Sequence, residues 1–92
     1  MKTKRTRLRS DFKKQERIEL SLRSGLGDAI RQQRAALGIS QDELAKRSGL
    51  HRTYISDLER GARNPSLGSI QKIAWALKVS VAKLFQEAES AV

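Results

Sequence analysis

Apolar residues recur at helical spacing in five segments of this chain, all after residue 25. In the first segment, "LGDAIRQQRAALG", Leu26, Ala29, Ile30 and Leu37 fall on one face of a helix that Gly38 ends. The other four segments read "SQDELAKRSG", "HRTYISDLERG", "LGSIQKIAWALK" and "SVAKLFQEAES". The pattern predicts an all-α domain of five short helices joined by brief connections.

Capping residues mark where the predicted helices begin and end. Ser40, with Glu43 three residues later, forms a capping box in which the hydroxyl accepts the Glu43 amide and the carboxylate reaches back. Gly49 closes that helix, and Ser66 and Ser80 are the expected caps of the fourth and fifth helices.

Residues 1–24 differ from the rest of the chain. They hold nine basic and three acidic side chains, net +6, against ten and seven, net +3, in residues 25–92. We therefore expect a partly flexible basic extension over residues 1–24, with a flexible arm from Met1 to Ser10, and a folded domain over residues 25–92. The alternation in "IELSL" suggests a strand, although a helix running on from Asp11 fits equally well.

Composition narrows the possible functions. The net charge of +9 favours a polyanionic partner, either nucleic acid or an anionic membrane, although a basic surface also serves solubility alone. The chain has no cysteine and one histidine, so no disulfide or zinc site is expected, and we expect no cofactor and no enzymatic activity. No apolar run is long enough to span a membrane and the N-terminus lacks a secretory signal pattern, so we expect a cytoplasmic location. "IELSLRSGLGDAI" imitates a dinucleotide-binding turn, but Ile30 stands where the third glycine is needed.

A helix-turn-helix spacing begins at Gln41 and extends over about residues 41–60. Ala45 is small where two steeply crossing helices would touch, and Gly49 tolerates the positive φ of a tight turn. Ile55 and Leu58, one turn apart, then pack the second helix on the core. The predicted core comprises Leu44, Ala45, Ile55, Leu58, Ile70, Ile73 and Leu77, with Val81 and Leu84 closing it beneath the fourth helix.

The stretch "IRQQRAALGISQDELAKRSGLHRTYISDLERGARNPSLGSIQKIAWALKVS" resembles the Cro and phage-repressor type of helix-turn-helix family, also called XRE-like. The resemblance runs from Leu26 to Phe85, about two thirds of the chain. Within the family, "HRTYIS" followed by "ERGARNPSL" is most similar to the controller proteins of restriction–modification systems. The resemblance implies a five-helix lambda-repressor-like domain that binds double-stranded DNA.

The resemblance also implies that the third helix is the recognition helix, with its N-terminal end in the major groove. Arg52 would donate two parallel hydrogen bonds to a guanine, and Thr53 would offer a hydroxyl or a methyl group to a base. Tyr54 would pack on a sugar or a thymine methyl, or else support the fold from a partly buried position. Asp57 would accept from a cytosine or orient Arg52.

Other residues are expected to position the domain on DNA. Gln41 matches the family glutamine that holds a phosphate with its side chain and backbone amide at a helix N-terminus. Arg34 and Glu59 are implied to form a partly buried ion pair between the first and third helices. The further phosphate candidates are His51, which is equally a helix cap, Arg63, Asn64, Lys46 and, as a lesser candidate, Arg60.

The sequence favours a homodimer, because one recognition helix contacts too few base pairs for a useful site. Phe85, with Trp75 and Leu77, is the predicted interface: Phe85 lies on the last helix, and Trp75 lies off the buried stripe of the fourth. The favoured function is a transcription regulator that blocks a promoter or contacts RNA polymerase beside one. The alternatives are an antitoxin that also binds its own promoter, and an adaptor without sequence preference.

Overall fold

The chain is helical along most of its length. The computed structural model describes the backbone of residues 2–90 and the side chains of residues 9–90, and no strand occurs in that part. The prediction of an all-α domain with five helices is confirmed. None of the described helices is both long and apolar enough to cross a membrane. In chain order the helices are α1 (Lys2–Leu37), α2 (Gln41–Ser48), α3 (Arg52–Glu59), α4 (Leu67–Leu77) and α5 (Val81–Ser90).

Helix α1 begins far earlier than expected. It has 36 residues, and at a rise of about 1.5 Å per residue it accounts for the 54 Å length of the molecule. Of the two alternatives for Ile18–Leu22, the structure therefore shows the helix and not the strand. The expected flexible arm is also helical from Lys2 onward, while Met1 lies outside the described residues. The physical reason is composition, because residues 2–24 contain no glycine or proline and are rich in lysine, arginine and other good helix formers.

The core forms where α1, from Leu22 onward, packs against α5 and α3, with α4 and α2 contributing further buried side chains. Every residue predicted to lie in the core is buried, except that Val81 is only partly so. The side chain of Leu37 is 38% exposed. It shares the face of Leu26 and Ile30, but residues 35–38 at the end of α1 are all exposed, so nothing covers that face there. The division of the chain at residue 24 stays a prediction.

The predicted helix caps are largely confirmed. The Glu43 amide donates to the Ser40 hydroxyl oxygen at 3.0 Å, and serine hydroxyls at positions 66 and 80 cap α4 and α5 in the same way. The return bond of the capping box does not form. The Glu43 carboxylate accepts from Arg47 at 3.2 Å instead, one turn further along α2.

Two glycines in α1 allow neighbouring helices to approach closely. A Cβ atom on Gly27 would lie well inside van der Waals contact with the carbonyl oxygens of Leu58 and Glu59, at the end of α3. A Cβ atom on Gly25 would overlap the carbonyl oxygen of Ala88 in α5 in the same way. The Gly-x-Gly pair that imitated a nucleotide-binding turn therefore serves helix packing.

Candidate nucleic-acid interface

The turn between α2 and α3 has the geometry that the sequence predicted. Gly49 adopts a positive φ of 75°, and its amide donates to the carbonyl oxygen of Ala45 at 2.9 Å. Ala45 is buried beside the turn, and Ile55 and Leu58 are buried on the inner face of α3. Helices α2 and α3 therefore form a helix-turn-helix unit in which α3 presents its other face to solvent.

The first turn of α3 is polar, and most of it faces solvent. Arg52 and Thr53 are exposed, whereas Tyr54 is half-buried and packs against the core. His51 occupies the N-cap position, which is one of its two predicted roles, but its side chain makes no capping hydrogen bond. The side chains free to meet a ligand at this end of α3 are therefore those of His51, Arg52 and Thr53.

Arg52 pairs with a residue that the sequence pattern did not single out. Its Nε lies 3.1 Å from Oδ1 of Asp42, in the first turn of α2, and both side chains are about two thirds exposed. The expectation that Asp57 would orient Arg52 was wrong. The two residues are five positions apart on α3, which places them about 140° apart around the helix. Only the crossing of α2 over α3 brings Asp42 close, so no local sequence pattern predicts the pair.

Asp57 instead joins a cluster at the far end of α3. Its carboxylate is 19% exposed and pairs with Arg60, and its Oδ2 lies 3.2 Å from the Arg63 Nη2. The Arg63 guanidinium carbon in turn lies 4.7 Å from the centroid of the Tyr54 ring, within range of a cation–π interaction. Asp57 and Tyr54 therefore fix the position of Arg63 in the loop that follows α3.

A buried carboxylate joins the first three helices. Glu59 is 5% exposed and accepts from the Arg34 Nε at 2.7 Å and the Arg34 Nη2 at 3.1 Å, which confirms the predicted ion pair. Arg34 also donates to the carbonyl oxygen of Ile39 at 2.9 Å. The hydrogen bond to Glu59 raises the pKa of Arg34 above its ordinary value, against the desolvation that lowers it. Because a raised pKa keeps a base protonated, Arg34 carries its positive charge throughout the physiological pH range.

Gln41 completes this cluster. Its Nε2 donates to the Glu59 Oε1 at 3.0 Å, which uses one of the two hydrogens of the side-chain amide. The contact of this side chain with phosphate stays a prediction. The backbone amide of Gln41 still begins α2, where helix N-termini favour anions.

The remaining phosphate candidates lie on the surface around the two helices. Lys46 and His51 line a hollow of about 470 Å³ between α2 and the start of α3, together with Arg52 and Asp42. Arg63 and Asn64 are exposed in the loop after α3. The structure therefore brings cations to both ends of α3.

The residues predicted for the dimer interface differ in exposure. Trp75 is 72% exposed beside Arg47 and Lys78, and Phe85 is half-buried against the core. Leu77 is 1% exposed. Its assignment to the interface was wrong, because a side chain that α4 already buries in the core has no surface to offer a second copy.

Comparisons with known proteins agree with this geometry. The sequence profile of the helix-turn-helix family matches residues 30–84. The control protein C.BamHI of Bacillus amyloliquefaciens is 50% identical over 60 residues, which are 64% of this chain and 74% of that protein. The crystal structure of the restriction–modification controller protein C.AhdI from Aeromonas hydrophila superposes with a TM-score of 0.66 at 44% identity, covering 67% of this chain and 94% of that one. The clp gene regulator ClgR from C. glutamicum gives a TM-score of 0.73 at 38% identity, over 76% and 90% of the two chains. The chain therefore belongs to the XRE-type helix-turn-helix family of DNA-binding transcription regulators.

Proposed function

We propose that this regulator acts as a homodimer on a two-fold symmetric operator and controls the genes of a restriction–modification system. The observation that carries the binding of an operator is the polar, exposed first turn of α3, which lies beside the hollow lined by Lys46 and His51. The names of similar proteins, the controllers C.BamHI and C.AhdI, support the restriction–modification role. The antitoxin alternative has no comparable support.

Arg52 is the principal base contact. Its Nε is engaged by Asp42, which leaves the two terminal nitrogens to donate side by side to O6 and N7 of a guanine. Thr53, exposed on the same turn, contacts the adjacent base. Asp42 thereby orients the guanidinium before DNA arrives, which lowers the entropy cost of binding.

Phosphate contacts surround this base-contacting turn. Lys46 and His51 approach the backbone on one side, with the amide of Gln41 at the start of α2. Arg63 and Asn64 approach it from the loop beyond α3, as does Arg60. Within this arrangement Tyr54 and Asp57 hold Arg63 in place.

Two copies are needed because one α3 helix spans only a few base pairs. Proteins of this shape bind half-sites about 34 Å apart, one turn of the duplex, so the operator mirrors the protein's two-fold axis. Phe85 and Trp75 provide the interface. Bound across a promoter, the dimer blocks transcription, and bound beside one it contacts RNA polymerase.

Selection of bound sequences from a random pool of duplex DNA tests the proposal. We expect a palindromic consensus with one guanine in each half-site that the Arg52→Ala variant no longer selects. The same consensus should lie upstream of restriction and methyltransferase genes in the source genome. Enrichment of no sequence would overturn the operator, and a consensus absent from such genes would overturn the restriction–modification role.

A further inference from the structure

The N-terminal half of α1 extends beyond the core. From Arg9 to Ser21 every side chain is exposed, and the first residue of α1 to pack on the core is Leu22. This extension, residues 9–21, also lies outside the residues 30–84 that match the family. The extension is therefore an addition to the part of the chain that matches the family.

The extension carries a line of cations on one side. Arg9, Lys13 and Arg17 follow one another at intervals of four residues, so their side chains are neighbours along the helix. Within the described residues, no carboxylate pairs with any of the three; Glu19, on another side, pairs with Arg23. Like charges at this spacing destabilise a helix. A ligand that neutralises the basic strip, Arg9, Lys13 and Arg17, would therefore also stabilise the extension.

The basic strip begins close to the DNA-binding surface. Ser24 of α1 lies against Gly61, such that a Cβ on that glycine would be 3.1 Å from the Ser24 hydroxyl. The loop that starts at Gly61 carries Arg63, which the proposed function places on phosphate. Arg17 is seven residues from Ser24, about 10 Å along the helix axis. DNA bound by α3 would thus lie near the end of the extension that adjoins the core.

The charge decides between the candidate occupants. A second copy packed along the same side would set the three cations of the basic strip against three identical ones, which is repulsive. Of the exposed apolar residues of the extension, Phe12 and Ile18 lie on other sides of the helix, and Leu20 lies at the core end of the strip, beyond Arg17. Building on the proposed function, we propose that Arg9, Lys13 and Arg17 bind the phosphate backbone of the duplex outside the half-site that α3 contacts.

The test replaces the three cations with neutral side chains and measures binding as a function of salt. The strip variant carries Arg9→Gln, Lys13→Gln and Arg17→Gln. The control variant carries Lys72→Gln, Lys78→Gln and Lys83→Gln, which removes three exposed cations from α4, its C-cap and α5. Both variants fall from +9 to +6, so net charge is matched. Each binds two duplexes, the selected operator alone and the operator with ten further base pairs at each end.

We expect the strip variant to bind the long duplex roughly tenfold or more weakly at physiological salt. Its log–log salt slope should be shallower by about 0.9 for each phosphate that the variant no longer neutralises. Wild type and the control should favour the long duplex over the short one, and the strip variant should not. Circular dichroism should show α1 intact, because the variant removes like-charge repulsion from the helix.

Three results would overturn the inference. Equal slopes for all three proteins would mean that the basic strip does not contact DNA. Equal weakening in the strip and control variants would reduce the effect to net charge. A fall in sedimenting mass of the strip variant would identify an interface between copies. Sequence preference is a separate readout, and its absence in the wild type would count against the operator proposal alone.

Discussion

Glu59 shows at the scale of one residue how charge and burial are reconciled in this domain. Its carboxylate is almost fully buried, yet three donors from Arg34 and Gln41 satisfy it. Removing one partner of such a pair leaves the other group buried without compensation, which costs far more than the net value of the pair. The loss of either partner alone should therefore destabilise the domain more than the net contribution of the pair would suggest.

We expect Glu59→Ala to lower the free energy of unfolding by about 3 kcal/mol, since it leaves the Arg34 charge largely desolvated. Urea denaturation measures the change. Glu43→Ala is the matched control, because its pair with Arg47 is about 40% exposed on both sides and should be worth less than about 1 kcal/mol. Similar decreases in the two variants would contradict the structural role of Glu59.

In the first turn of α3, we expect Arg52→Ala to cost about 1–3 kcal/mol of binding free energy on the selected operator. The effect should vanish when the guanine in each half-site is replaced, because the interaction is specific to that base. Lys46→Ala is the comparison, and it should weaken binding to all sequences evenly. Titration of labelled duplexes at fixed salt measures both. If Arg52→Ala also weakened binding evenly, Arg52 would be a phosphate contact.

At the residue scale, the sequence predicted which side chains are buried better than it predicted which side chains pair. The spacing of Ile55 and Leu58 is local, so their burial follows from helical periodicity alone. The partner of Arg52 depends on how α2 crosses α3, which periodicity does not specify, and so Asp42 was missed. Leu37 shows the same limit, because periodicity gave its helical face but not the fact that no other element covers that face there.

At the scale of the elements, helix ends with a chemical signal were predictable and an end without one was not. Ser40, Ser66 and Ser80 cap helices, and Gly38 and Gly49 adopt the positive φ that ends them. The start of α1 has no such signal. A segment rich in lysine and arginine is compatible with both disorder and helix, so composition alone could not decide between them.

The close contact of α1 with α3 leads to a prediction about two glycines. We expect Gly27→Ala to lower the free energy of unfolding by about 1–3 kcal/mol, because the new methyl group overlaps carbonyl oxygens at the end of α3. Gly68→Ala in α4 is the matched control, since open space surrounds that position and alanine is the better helix former. It should raise stability by up to about 1 kcal/mol. The same sign for both changes in thermal unfolding would contradict the packing of α1 on α3.

For the whole molecule, the decisive measurement concerns how two copies meet. We expect Phe85→Asp to give a folded monomer in analytical ultracentrifugation with much weaker operator binding, because a charge replaces the apolar contact across the two-fold axis. Leu67→Asp is the control, as Leu67 is equally apolar, 75% exposed and assigned to no interface. A variant that stays dimeric would place the interface elsewhere. A variant that unfolds would assign Phe85 wholly to the core.

The two ends of α3 differ in their surroundings. Its last turn, at Glu59, is buried and joined to two other helices, whereas its first turn, at Arg52 and Thr53, is exposed and makes only the exposed ion pair with Asp42. We therefore expect substitutions in the first turn to alter target choice with little effect on folding. Duplicated genes for such a protein can diverge to separate operators in a few mutational steps, and several descendants can then work in one cell without interfering with one another.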